Sequence, residues 1–333
     1  MEQHAAAQLG GPGAGAYIAL GLVVGLLAGL FGVGGGFLLT PLLHVLFGLP
    51  YGVAVGTGLA QMAVMSWAGT WEHVRLRHVD FRLGLALLAG SFLGAESGVR
   101  VQKILRQSGD IVIAGRLMPA FDLGMAFLFV VLLVSMGWAM AIEGRRAARR
   151  AAGGSVRAAA GQEAEITAGS EPDEGGPKAA EPRPTALSRW LARVQVRPSI
   201  ALAHAPEREI SVWVPAGVGY AVAILTGLLG VGGGFLNMPI MIYGLNVPTV
   251  VAIGTASLVT SAVAVYSGLR YVMQGMVLWP AAGLLLVGSL IGVRLGARLS
   301  HRLPGDRLRR YFAYTVMGTA AVIVLDAVRK IYF

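Results

Sequence analysis

Apolar residues along the chain gather into ten segments separated by short polar breaks, and the segments form two groups of five. The first group covers roughly 16–31, 37–47, 52–73, 82–105 and 117–142, and the second roughly 211–230, 235–245, 250–272, 279–300 and 310–328. Runs near 20 residues with few charges have the length of a helix that crosses a bilayer core of about 30 Å. Segments 37–47 and 235–245 are shorter, near 17 Å of helix at about 1.5 Å per residue, and cannot span alone. Each is expected to pair with the segment before it in a hairpin that enters the membrane, turns at glycines and leaves on the side it came from. The pattern predicts an all-α polytopic membrane protein.

The two groups are copies. Shifting the chain by 198 residues lays Gly32–Phe37 on Gly230–Phe235, Pro41 on Pro239, Pro50 on Pro248 and Gly56-Thr57 on Gly254-Thr255. Duplicated apolar halves are a signature of transporters. Three consecutive glycines cannot hold a helix, because each costs about 1 kcal/mol relative to alanine. The helix is expected to break there and restart, with Pro41 or Pro239 in or near the first turn. A restarted helix presents unpaired N–H groups and the positive end of its dipole, which suits a small anion.

Composition fits this picture. The chain has 333 residues, 55% hydrophobic and 13% charged, with a formal charge of +10. Its Lys and Arg sit between apolar segments instead of forming one face interleaved with aromatic residues, so cytoplasmic loops explain the charge and nucleic acid is not an expected partner. Cysteine is absent, and the sequence is silent on redox compartment. Met1 to Gly15 carries no Lys or Arg, so it lacks the charged region of a signal peptide and the first apolar run is expected to be retained. Residues 16–142 read as a first membrane repeat and 210–330 as a second. Between them, 143–209 reads as a cytoplasmic linker rich in Ala, Gly, Pro and Glu, mostly disordered, with a basic surface helix at 186–197. A hairpin plus three spans is odd in crossings. The halves are therefore expected to be inverted, bringing both glycine turns to the bilayer midplane.

Candidate ligand residues follow from that geometry. They are Gly34, Gly35, Gly36 and Phe37 with Gly232, Gly233, Gly234 and Phe235 at the turns, and Asn237 two residues before Pro239. Thr57, Gln61, Thr255 and Ser257 join them on the third helix of each half, where Thr260 and Ser261 read as packing residues. Glu96, four before Arg100, and Asp122 in the fifth segment are candidates for ion coupling, against a bland reading as membrane-edge anchors. His44 reads as a hydrogen-bonded packing residue, with a proton carrier as the alternative. The turns are neither a dinucleotide fingerprint nor a phosphate loop, since Phe37 replaces a glycine and no lysine follows. No metal-ligand spacing is present, and no cofactor is expected.

On these residues the chain resembles the TauE/SafE family of sulfite and organosulfonate exporters. The resemblance rests on Gly34–Pro41 and Gly232–Pro239, on Val55–Leu59 and Ile253–Leu258, and on His78-Val79-Asp80-Phe81. Gly58 departs from it, standing where a small hydroxyl or amide residue is expected, as does the long linker. The resemblance implies a bacterial inner-membrane permease moving sulfite, sulfoacetate or related compounds. The residues themselves leave open a secondary transporter for a small anion, a passive anion channel and a membrane enzyme, the last without a supporting constellation.

Overall fold

A computed structural model describes residues 13–31, 36–107, 109–113, 116–138, 142, 197–202, 205–245, 247–300 and 305–332. The glycines Gly34 and Gly35, most of the segment read as linker (143–196) and all but the last residue of the basic helix expected at 186–197 lie outside the described residues. The first half forms α1 (Ala14–Phe31), α2 (Gly36–Phe47), α3 (Tyr51–Arg75), α4 (Phe81–Leu105) and α5 (Ala120–Trp138). The second forms α6 (Trp213–Leu229), α7 (Gly234–Pro239), α8 (Thr249–Met273), α9 (Trp279–Ser300) and α10 (Gly305–Tyr332). Within the described residues, four helices have cores long and apolar enough to cross a membrane: Ala120–Trp138, Val250–Met273, Trp279–Leu299 and Arg310–Lys330.

Two short antiparallel hairpins were not foreseen from the hydropathy pattern. Strands β1 (Asp110–Ile113) and β2 (Arg116–Pro119) pair between α4 and α5, and β3 (Ser199–Leu202) and β4 (Ala205–Ser211) pair just before α6. The second hairpin occupies the end of the segment read as linker. Four-residue strands carry too little alternation to stand out beside helical runs.

The helices are organised by close backbone contact between the halves. A Cβ added at Gly21, Gly25 or Gly29 of α1 would run into the backbone carbonyls of Leu285, Ser289 and Val293 on α9. In the other direction, Gly288, Gly292 and Gly296 of α9 lie against the carbonyls of Ile18, Leu22 and Leu26. The same arrangement recurs where Gly90, Gly94 and Gly98 of α4 meet Ala216, Tyr220 and Ile224 of α6. Partners rise together in both pairs, so α1 runs parallel to α9 and α4 parallel to α6. Each is a seam of glycines four apart, which places them on one helix face. The spacing is visible in the sequence once it is looked for; in lipid, where apolar burial drives nothing, such seams let helices gain dispersion contact.

The seams obey the 198-residue shift. Gly21 meets Leu285 and Gly219 meets Leu87, and both members of the second contact are displaced by 198 from those of the first. Between the seams, α3 packs against α8. Gly56 lies by Tyr271, Gly268 by Leu59 and Ala60, and Thr70 bonds Ser261 at 2.7 Å, so partner numbers fall as numbers rise and the two helices run antiparallel. Around them Phe37, Leu39, Leu59, Phe129, Leu133, Phe312 and Val316 form a continuous apolar core.

Replacing Gly94 by leucine is expected to destabilise the fold by on the order of 3 kcal/mol, because the α4–α6 seam has no room for a side chain. Leucine at Gly283, where nothing lies within 4 Å, should leave stability unchanged or slightly raised. Thermal unfolding of the two variants in detergent compares them directly.

Candidate functional site

The second glycine turn is described in full. Helix α6 ends at Gly230, which is left-handed (φ 68°) and donates its N–H to the Thr226 carbonyl at 2.8 Å. Gly232 is also left-handed (φ 79°), a conformation that a residue with a Cβ adopts at a cost. Gly233 then caps α7, its carbonyl accepting the N–H groups of Leu236 (3.2 Å) and Asn237 (2.8 Å). Pro239 supplies no N–H, and from Ile240 to Gly244 the helix continues in wider π turns, closed by Leu245 N–H on the Ile240 carbonyl at 3.1 Å. Gly234 and Phe235 open the helix, so their N–H groups precede any intrahelical acceptor.

The first turn reaches the described residues at Gly36, and there the two turns meet. A Cβ at Gly36 would lie 3.2 Å from the carbonyl oxygens of both Gly230 and Val231. It would also lie 2.5 Å from the sulfur of Met62, the same atom that a Cβ at Gly232 would meet at 2.5 Å. Met62 and Thr260 are related by the 198-residue shift, and both approach Gly232, Met62 from the first half and Thr260 from its own. Bare glycine backbone from both halves therefore surrounds one point in the interior.

Polar side chains near this point are buried without partners among the described residues. They are the hydroxyls of Thr40 and Thr260 and the amide oxygen of Asn237, at residues exposed by 3% or less. Thr40 Oγ1 stands 3.0 Å from the Cβ position at Gly230 and 3.3 Å from that at Gly58. Gly58 thus makes room for a hydroxyl from the neighbouring helix. A buried hydroxyl without a partner costs about 1–3 kcal/mol, so several in one place are unusual unless something else satisfies them.

On the third helices, the hydroxyls of Thr57, Thr255 and Ser257 are engaged elsewhere. Thr255 Oγ1 accepts the Asp80 N–H at 3.0 Å, and its counterpart Thr57 Oγ1 accepts the Leu278 N–H at 3.0 Å. Each threonine ties down the loop of the opposite half. Asp80 also caps α4, its carboxylate accepting from Arg82 and Leu83 N–H at 3.1 Å. Gln61 donates to Ser289 on α9 at 2.8 Å, and Ser257 donates to the Ile253 carbonyl of its own helix. Phe37 is buried with its ring 5.7 Å from that of Phe312. The side chain of Phe235 and the whole of Gly34 and Gly35 lie outside the described residues.

The two acids part company. Glu96 is held by Arg100 at 2.7 Å, by Arg270 at 2.9 Å and by the Tyr266 hydroxyl at 3.0 Å, a web joining α4 to α8. Asp122, at the start of α5, lies within electrostatic range of His44 and Lys330. Among the described residues no group of three or more His, Asp or Glu side chains could hold a metal ion.

Comparison with known proteins agrees with the site's resemblance. The profile of the family described as "Sulfite exporter TauE/SafE" matches residues 16–323. A "Probable membrane transporter protein" of Xylella fastidiosa (strain Temecula1) is 27% identical over 315 residues, covering 92% of this chain and 93% of its own. The "Probable membrane transporter protein YdhB" of Bacillus subtilis is 24% identical over 284 residues, covering 85% and 88%. No solved structure matches the chain.

Thr255→Val is expected to cost about 1–3 kcal/mol, because it leaves the buried Asp80 N–H without its acceptor, while Thr255→Ser keeps the bond and most of the stability. Unfolding temperatures of the two purified variants should separate accordingly.

Proposed function

The chain belongs to the sulfite exporter TauE/SafE family, and on that premise we propose that it is a secondary transporter of small sulfur-containing oxyanions, such as sulfite or an organosulfonate, across the bacterial inner membrane. It is a membrane transporter by family and by its relatives' names. The observation that carries the finer reading is the approach of Gly36 to the second glycine turn, with the Thr40 and Thr260 hydroxyls and the Asn237 amide oxygen nearby, unpartnered among the described residues. Glycine leaves backbone N–H groups open to a ligand, and helix starts in a low-dielectric interior favour negative charge. An oxyanion with three acceptor oxygens can take N–H and hydroxyl donors from both halves at once.

In this reading the halves are inverted repeats, each a re-entrant hairpin plus three membrane-crossing helices, and the multi-pass bundle exposes its midplane site to either side in turn. Support comes from α3 and α8, equivalent helices that run antiparallel, and from seams exchanged between the halves. Gly36 and Phe37 then face Gly232, Gly233, Gly234, Phe235 and Asn237 across the anion, and Gly34 and Gly35 are proposed as ligands from the sequence repeat alone. Thr57 and Thr255 hold the loops behind the site, and Gln61 and Ser257 line the helices beside it. The partners are the anion and the lipid bilayer, and no chemical step on the substrate is proposed.

Thr260→Val is expected to weaken binding of the preferred anion about tenfold or more, the worth of one hydrogen bond to a charged group, without loss of thermal stability, since the hydroxyl has no partner among the described residues. A thermal-shift panel of sulfite, thiosulfate, sulfoacetate and taurine selects the anion and measures the change. Accumulation against a gradient in vesicles distinguishes a transporter from a passive channel. Absence of any sulfur-anion effect on stability or flux would remove the assignment.

A further inference from the structure

The ionisable side chains around His44 form a second polar site that anion binding leaves unused. His44 lies in the last turn of α2, eight residues and about 12 Å of helix from Gly36. It is 7% exposed, and its ring stacks on Tyr51 of α3 with centroids 3.8 Å apart. Nδ1 is 2.8 Å from the Leu49 carbonyl, an acceptor only, so Nδ1 carries the hydrogen. Nε2 is 2.8 Å from the Lys330 ammonium of α10, a donor only, so Nε2 offers its lone pair and the ring is neutral. Lys330 is also paired with Asp326 at 2.7 Å, and the Asp326 carboxylate stands 4.0 Å from Nε2. Asp122 of α5 is within electrostatic range of both His44 and Lys330, and the buried Tyr51 hydroxyl has no partner among the described residues.

In the structure Nε2 accepts from Lys330. A proton added to the Nε2 lone pair would send the ammonium onto Asp326 and leave the imidazolium N–H to the Asp326 carboxylate, with Asp122 within electrostatic range. Imidazole is the side chain that makes this change near neutral pH. Lys330 is partly exposed, which gives the proton a route from water. The cluster breaks the duplication, since the 198-residue shift puts Ile242 at the place of His44 and Thr249 at that of Tyr51. A device present in one half alone is not needed to shape a two-fold fold.

We propose that His44, with Lys330, Asp326, Asp122 and Tyr51 around it, is the proton-binding site that couples anion movement to the pH gradient. The coupling element is α2. A cation near its C-terminal end and an anion near its N-terminal end are opposite charges about 12 Å apart in a low-dielectric interior, so each favours the other, and linkage makes the effect reciprocal. Proton and anion then cross together as a symport. The coupling half of this inference rests on the anion-transport reading above; the proton site stands on the cluster's own geometry.

Two measurements on the full-length protein test it. Nitrogen NMR of ¹⁵N-histidine-labelled protein in lipid nanodiscs should show His44, assigned by its loss in His44→Gln, passing from the neutral to the protonated pattern between about pH 8 and 5. In vesicles with radiolabelled sulfoacetate, a gradient of about one pH unit should drive accumulation toward about tenfold per coupled proton. In H44Q and D326N the accumulation ratio should fall toward about one. Undiminished accumulation in H44Q, or a wild-type protein that exchanges sulfoacetate without responding to the gradient, overturns the coupling and leaves the anion reading standing. A His44 that stays neutral across the range overturns the proton site whatever is transported. A His44 that titrates in a protein with no sulfur-anion flux supports the proton site and removes the anion reading.

Discussion

Backbone-to-backbone contact between α1 and α9, and between α4 and α6, is the constraint from which the remaining architecture follows. Helices in lipid gain nothing by hiding apolar surface from one another, so they associate where their surfaces approach closely enough for dispersion and short polar contacts to add up. Glycines at four-residue intervals remove the side chains that would hold the axes apart. Because each seam joins the first helix of one half to the fourth of the other, neither half is a self-sufficient bundle. The broken helix that follows α1 is carried to the broken helix that follows α6, and Gly36 arrives beside Gly230 and Val231.

What collects at that junction is backbone rather than charge. The charged groups are kept to the margins. Glu96, Arg100, Arg270 and Tyr266 tie α4 to α8, while His44, Lys330, Asp326 and Asp122 gather at the far end of α2. That short helix has glycine at one end and histidine in its last turn.

Much of this was legible in the chain. The third helices were read at 52–73 and 250–272 and stand at Tyr51–Arg75 and Thr249–Met273, because long apolar runs bounded by turn residues leave little freedom. The second glycine turn was equally plain, with Gly230 and Gly232 left-handed. Partnerships between the halves were not. Thr57 and Thr255 read as ligand candidates from their position after the turns, but their partners are loop amides at Leu278 and Asp80, remote in sequence. His44 read as a lone packing residue because Lys330 is 286 positions away. The seams left a trace that could have been found, glycines four apart at 21, 25 and 29 and again at 288, 292 and 296. The π turns after Pro239 left only a weak one, since proline announces a missing donor without saying how the chain absorbs it.

The exchanged seams also govern how the molecule is made. Gly21 emerges from the ribosome 264 residues before Leu285, the carbonyl it will rest against. At about 5–20 residues per second the nascent chain carries α1 for roughly 13–50 s before its neighbour exists. Its grooved face must be shielded by lipid or an insertion factor until the ninth helix arrives, and premature pairing with another small-residue surface is the hazard that interval creates.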